Sequence, residues 1–409
     1  MTMRHRSITP SEPRLSELDS LRGVAAFLVL VQHAQVMGFD LLPFDGPLLD
    51  RAAHALMHFS PFRVLEFGRP AVLFFFVLSG YVLTRALMRN GSPGLLAFAV
   101  QRTVRLMVPA AASVLLSAGL YAALAPDPAL LAGELRDHTL HLWRTAPGAL
   151  DLLRAGALLL TESDRVELNP VLWSLVHEWR LTLLLPLVLL FRGRVWLLLA
   201  LGCVGMALGA MGSGSENRVQ LGPHFHSTVV ATLYFSLAIA SGAALAMVGP
   251  LPALTRPQRV AGGVSALALF GLASDVAVYA ASVLLIVVAQ QPSGFRRLLR
   301  TPPLVWLGHV SYSLYLVHAP VLATSVLLLH DDLPIWACLA VGAAAALPAA
   351  EIMRRLVEAP SRHLARWAER RLRRPRHTHR GATRPAAAPG EPTWAGEGGL
   401  FLDPPGRRS

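Results

Sequence analysis

The chain is expected to fold as an all-α protein, a polytopic membrane helix bundle with about ten transmembrane helices. Two features of composition carry that expectation. Hydrophobic residues make up 54% of the 409 and charged residues only 15%, where a soluble domain carries ~25% charge. Uninterrupted apolar stretches also recur along the chain, several close to the ~20 residues that cross a bilayer as helix. The net charge of +12 would point to nucleic acid in a soluble protein. Here every basic side chain is Arg or His, and the arginines gather in particular loops and in the tail, so no nucleic-acid partner is expected. Cys203 and Cys338 both fall in apolar stretches and are expected to pack as small hydrophobes, not as a disulfide framework.

In order, the apolar segments cover approximately 18–38, 70–89, 104–125, 171–191, 195–212, 228–249, 260–274, 276–291, 304–329 and 334–357. The seventh and eighth are short. The first is read as a retained helix and not as a secretory signal. Asp19 and Arg22 follow the basic stretch, Gln32 and His33 interrupt the apolar run, and no small-x-small cleavage site follows. Residues 39–69 and 126–170 are long enough to hold structure of their own. Orientation follows from the arginines. With the N-terminus cytoplasmic, inner loops hold Arg85, Arg89 and Arg102, then Arg192 and Arg194, then Arg256 and Arg259, then Arg296, Arg297 and Arg300. The short outer turn at Asp331 and Asp332 has none. Both termini are then cytoplasmic in a cell membrane. The expected organisation is a cytoplasmic segment 1–17, a membrane domain 18–358, and a basic, then disordered, cytoplasmic tail 359–409. Leu364, Trp367 and their arginine neighbours suggest an amphipathic helix on the anionic inner leaflet at the start of that tail.

Ionisable side chains inside apolar segments cost a few kcal/mol or more, so each is a candidate for function. Arg22 and His33 are eleven residues apart in the first segment. At ~100° and ~1.5 Å per residue they share one face, displaced by roughly 16 Å, with Asp19 nearly on that face. Snorkelling of Arg22 and a carbonyl bond from His33 would be the structural alternative. At the start of the third segment, Arg102 and Arg105 are spaced i, i+3, a fork suited to phosphates or plain positive-inside decoration. The fourth segment carries Trp173, Ser174, His177, Glu178 and Arg180, too many polar groups for a lipid-facing helix. They build either a site or an internal salt-bridge network. In the ninth, Ser311, Tyr315 and His318 form a polar stripe at i, i+4 and i+7, which inter-helix hydrogen bonding would explain equally. No metal-ligand spacing, phosphate-binding glycine loop or internal repeat is present, so no metal is expected.

At these residues the sequence resembles the acyltransferase-3 family of integral membrane enzymes. The resemblance covers roughly residues 15–362. It runs through Leu18-Asp19-Ser20-Leu21-Arg22-Gly23 with His33, the Phe-rich stretch Phe74-Phe75-Phe76-Val77-Leu78-Ser79-Gly80-Tyr81, and Arg102-x-x-Arg105 followed by Pro109. It continues in Trp173-Ser174-Leu175 with Glu178, then Ser311-Tyr312-Ser313-Leu314-Tyr315-Leu316-x-His318, and closes on Glu358-x-Pro360. His177 beside Glu178 is not part of that pattern. The resemblance implies an O-acyltransferase with no permanently bound cofactor. Acyl-CoA would be the co-substrate, and a hydroxyl of a surface glycan, lipid-linked sugar or metabolite the acceptor. His33 would be the catalytic base or an acyl relay. Arg22 would hold or polarise the donor, Arg102 and Arg105 would meet its phosphates, and Glu178 would orient His33 or bind acceptor hydroxyls. Asp19, Trp173, Ser174, His177, Tyr315 and His318 are the residues expected at the substrate. Some relatives carry an added SGNH-type hydrolase domain, for which residues 359–409 leave no room. A transporter or flippase using Arg22, His33 and Glu178 as a proton path is the competing expectation, though such proteins often show repeated halves. A non-catalytic scaffold fits poorly with so many buried ionisable groups.

Overall fold

The computed structural model describes residues 15–38, 68–90, 94–135, 137–161, 168–212, 220–222, 224–249, 253–272 and 274–372. Expectations for residues 1–14, for most of 39–69 and for 373–409 lie outside the described residues. The described residues are mostly helical, without a strand. In chain order the helices are α1 (Ser16–Val36), α2 (Gly68–Asn90), α3 (Leu95–Leu124), α4 (Pro128–Ala132), α5 (Ala149–Gly156) and α6 (Leu172–Leu183), the last followed by a 3₁₀ turn, Leu185–Phe191. Then come α7 (Val195–Gly212), α8 (Phe225–Tyr234), α9 (Ser236–Val248), α10 (Arg256–Phe270), α11 (Asp275–Ala289), α12 (Gly294–Leu299), α13 (Pro302–Leu329) and α14 (Ile335–Met353). A π turn, Arg354–Glu358, joins α14 to α15 (Ala359–Leu372).

Six helices are long and apolar enough to cross a membrane, or up to seven if the pair Leu172–Leu183 and Leu185–Phe191, bent by 47°, is one span. The expected count of about ten is not reached by that criterion. The seventh and eighth segments fold as α10 and α11, of 15 residues each, ~22 Å of helix against a ~30 Å hydrocarbon core. Helix α1 is 21 residues long but carries Glu17, Asp19 and Arg22. The expected boundary at 358 falls within a helical run, Ile335–Leu372. In its last part Leu364 and Trp367 are exposed together with Arg366, Arg370 and Arg371, while Ser361 and Ala365 are buried.

Lipid-facing and central helices are distinguished by burial. Within its apolar window α13 is 67% buried and α7 17%, so α13 is the hub and α7 a flank. The hub is held by close backbone crossings, as expected where lipid supplies no hydrophobic drive between helices. A Cβ added to Gly23 would stand 2.5 Å from the Gly308 nitrogen, and one on Gly308 2.5 Å from the Asp19 carbonyl carbon. Helices α1 and α13 therefore meet backbone to backbone, and they run in the same direction, since His33 further along α1 meets His318 further along α13. A second crossing joins α2 to α9, where a Cβ on Gly242 would stand 2.7 Å from the Tyr81 nitrogen.

Two ion-pair clusters pin the helix ends. Glu17, fully buried, pairs with Arg296 at 3.0 Å and Arg300 at 3.2 Å, fastening the start of α1 to α12. Arg69 at the start of α2 grips Asp275 of α11 through two bonds, 2.6 and 3.2 Å, and Tyr234 donates to the same carboxylate at 2.9 Å.

Candidate active site

The short irregular stretch before α6 sets that helix against the hub. Buried Asn169 donates to the Leu316 carbonyl of α13 at 2.8 Å and to Ser113 of α3 at 3.2 Å. Ser117 donates to the Leu168 carbonyl at 2.5 Å. Two turns into α6, Trp179 donates to Thr103 of α3 at 2.9 Å. These bonds fix the rotation of α6, so that Ser174 and Glu178, spaced i, i+4, face inward together.

What they face is a cavity of ≈150 Å³ at the end of the bundle where α1 begins. Its polar lining includes Asp19, Arg22, Ser79, Arg102, Arg105, Ser174, Glu178, Ser311, Tyr312, Tyr315 and Glu358, and Phe75 and Phe76 of the Phe-rich stretch close one side. The acidic and basic side chains are three arginines and three carboxylates, but they are not all paired. Arg22 is 3.4 Å from Asp19 and donates through Nε to Ser311 at 2.9 Å and through Nη2 to the Gly308 carbonyl at 3.3 Å. Arg102 donates to Glu178 at 3.3 Å, and Ser79 donates to the same oxygen at 2.9 Å. Glu358 accepts from Ser313 at 2.6 Å and stands 3.6 Å from Arg362. Arg105 makes no hydrogen bond or ion pair among the described residues, and the buried Nε of Arg102 is likewise unmet. The cavity thus presents unfilled guanidinium donors beside carboxylates that are already occupied.

The imidazole expected to carry chemistry is not in this cavity. His33 lies in the last turn of α1, where its Nδ1 is 2.8 Å from Nε2 of His318 and the two rings stack at 5.1 Å. The bonding pattern fixes the protons. A carbonyl only accepts, so His318 Nδ1, 3.0 Å from the Leu314 carbonyl, carries the hydrogen. In the neutral ring Nε2 of His318 is then an acceptor, His33 must donate from Nδ1, and Nε2 of His33 keeps its lone pair. That is the arrangement of an oriented base, with His318 as the orienting group.

Tyr315 stands between the two places. It lines the cavity, and its ring lies 6.0 Å from that of His318. Its hydroxyl donates to the Val171 carbonyl at 3.0 Å and accepts from Ser174 at 2.7 Å, which locks the ring.

Of the residues singled out in the sequence, the fold brings Asp19, Arg22, Arg102, Arg105, Ser174, Glu178 and Tyr315 together and sets His33 with His318 one step beyond. The shared face of Arg22 and His33 is real, and α13 covers it. Glu178 does not reach His33; its partners are Arg102 and Ser79. His177 turns away to Thr232 of α8 at 2.9 Å and to the Gln220 carbonyl, with Trp173 packed edge-on against it at 6.2 Å, so neither lines the cavity. Ser79, Tyr312 and Glu358 were not singled out as site residues. Their signal lay in three stretches: Ser79-Gly80 in the middle of the second apolar segment, Ser311-Tyr312-Ser313 in the ninth, and Glu358-x-Pro360 just past the tenth. No group of side chains that could hold a metal ion occurs among the described residues.

Compared with known proteins, the chain matches the family described as an acyltransferase domain over residues 15–350. No curated protein and no solved structure matches it.

Proposed function

The chain belongs to the acyltransferase-3 family, and from that premise we propose that it is a membrane O-acyltransferase. It moves an acyl group, acetyl by preference, from acyl-CoA to a hydroxyl of a surface glycan, glycolipid or secreted metabolite. The observation that carries this reading is the unfilled guanidinium of Arg105 beside Arg22 and Arg102, in a cavity that Tyr315 separates from the His33–His318 pair. Arg105 and Arg102 suit the phosphates of the donor, because each presents charge-assisted bonds that no protein group takes. A cavity of ≈150 Å³ is smaller than the ~300–1,000 Å³ of pockets that engulf whole ligands. The nucleotide therefore stays at the mouth, and the slender pantetheine arm is the part that threads past Tyr315.

In the transfer step the acceptor oxygen attacks the thioester carbonyl carbon and the C–S bond breaks. Nε2 of His33 takes the hydroxyl proton and passes it to the departing thiolate. His318 holds His33 in the tautomer that makes this possible. Both termini face the cytoplasm in this scheme, which puts Asp19, Arg22, Arg102 and Arg105 on the donor's side. The acceptor enters from the opposite face.

Purified protein in lipid discs, supplied with isotope-labelled acetyl-CoA, tests the reading. Labelled CoA turnover that depends on His33 is the expected result. A deletion strain surveyed by mass spectrometry for a lost acyl increment then names the acceptor. Absence of any turnover with acyl-CoA, together with substrate movement across vesicles, would replace the enzyme with a flippase.

A further inference from the structure

A second hollow lies on a different side of α1 from Arg22, and nothing in the acyl-transfer scheme uses it. Leu21, Ala25 and Leu28 of α1 form one wall, α10 the other, and the start of α2, α11, α12 and the start of α13 complete it. At ≈820 Å³ it is several times larger than the polar cavity, and it is a groove open to the outside, since Val260, Val264, Leu267 and Leu298 along it are exposed. Every side chain lining it is apolar except at one end, where Arg256, Arg259 and Ser293 stand. A Cβ added at Gly263, halfway along, would meet nothing within 4 Å.

Charge along this region is one-sided. Between residues 253 and 300 the arginines are Arg256, Arg259, Arg296, Arg297 and Arg300, and the lone acid is Asp275. Asp275 is taken by Arg69, while Arg296 and Arg300 are taken by Glu17. Arg256 has no hydrogen bond or ion pair among the described residues, and Arg259 donates only one nitrogen, to the Pro292 carbonyl at 2.9 Å. Two guanidiniums thus stand at the head of an apolar trough. From Arg256 to Phe270 the trough follows α10 for ~21 Å, enough to pass through the ~15 Å of hydrocarbon in one leaflet.

We propose that this groove is a binding site for an anionic phospholipid of the leaflet into which Arg256 and Arg259 emerge. The phosphate lies on the two guanidiniums, and an acyl chain lies along α1 and α10 past Gly263. Charge complementarity selects an anionic headgroup over a zwitterionic one, because the arginine pair has no acidic neighbour left to offset it. The inference is independent of the acyl-transfer reading.

Photoactivatable phosphatidylglycerol and phosphatidylcholine, each in lipid discs with the full-length chain, test it. Phosphatidylglycerol is expected to label peptides within 256–270 and 294–304. Arg256→Gln with Arg259→Gln should lower that labelling about tenfold or more and bring it to the phosphatidylcholine level. Gly263→Trp, which fills open space, should block labelling without lowering the melting temperature; Gly263→Leu serves the same purpose if the indole disturbs folding. Equal labelling by the two lipids, labelling that survives both glycine variants, or a chain-to-chain cross-link across the groove, which would make a second copy the occupant, would each overturn the proposal.

Discussion

The two hollows on either side of α1 begin from neighbouring residues, Arg22 and Leu21, and share almost nothing else. On the Arg22 side the space is ≈150 Å³ and is crossed by hydrogen bonds from α2, α3, α6 and α13. On the Leu21 side it is ≈820 Å³, apolar and open, with charge at one end alone. The difference teaches how a membrane helix can be a partition. Successive residues on a helix are ~100° apart, so one polar position beside one apolar position is enough to give a reaction chamber and a lipid trough a common wall. The polar side recognises by counting charges, and Arg105 is the one left over. The apolar side recognises by length and by one sign of charge.

The largest expected effect is on the chamber's side. His33→Ala is expected to lower the rate of transfer by ~10²–10⁴-fold, the usual contribution of a general base, in a protein that still inserts and melts normally. Steady-state assay with acetyl-CoA reads it, and activity near that of the parent would take His33 out of the chemistry. Next comes Arg105→Gln, expected to raise KM for acyl-CoA about 10- to 100-fold, one charge-assisted contact at ~1.5–3 kcal/mol, with kcat little changed. Arg105 is a better test than Arg102, whose removal also strips Glu178 of its partner. An unchanged KM would leave Arg105 a topology signal and no more.

Smaller is the effect of His318→Phe, about two- to tenfold in kcat for one lost hydrogen bond, with KM constant. His318→Gln, which restores an acceptor for His33 Nδ1–H, should recover part of the loss. If both variants behave alike, the imidazole pair is packing and the tautomer argument fails. Smallest of all, Gly263→Trp should leave both kinetic constants alone, because it fills the other side of the partition. A shift in KM for acyl-CoA there would mean the donor, not a lipid, runs along the groove.

Local regularity explains which of these features could be read in the sequence. The common face of Arg22 and His33 follows from helical periodicity, and so does the stripe Ser311, Tyr315, His318. The helical class follows from the apolar runs. The partners do not follow. His33 meets His318, 285 residues away, because Gly23 lets α1 sit on Gly308, and no pattern within either segment specifies that contact. Likewise, of the two expectations for Glu178, orienting His33 or binding acceptor hydroxyls, the first is not met, because the rotation of α6 set by Asn169 and Trp179 delivers it to Arg102. The bend after Leu183 had a local sign, since Pro186 opens the 3₁₀ turn and a proline removes a backbone donor from the ladder. The apolar run 183–191 continues through that proline, so hydropathy alone does not mark the bend. The shortness of α10 and α11 was legible, since the seventh and eighth apolar segments are themselves only about as long as the helices they form.

The contact of Gly23 with Gly308 has a mechanical consequence. Where backbone touches backbone there is no compliant layer of side chains, so α1 can neither roll nor slide against α13 without separating from it. Gly23→Ala should therefore lower the melting temperature, at a cost of about 1–3 kcal/mol, even though alanine favours helix over glycine. The wall between chamber and trough is in this sense a fixed plate. The bend at Leu183–Leu185, where two helical pieces meet at 47°, lies outside that seam and is not bound by it.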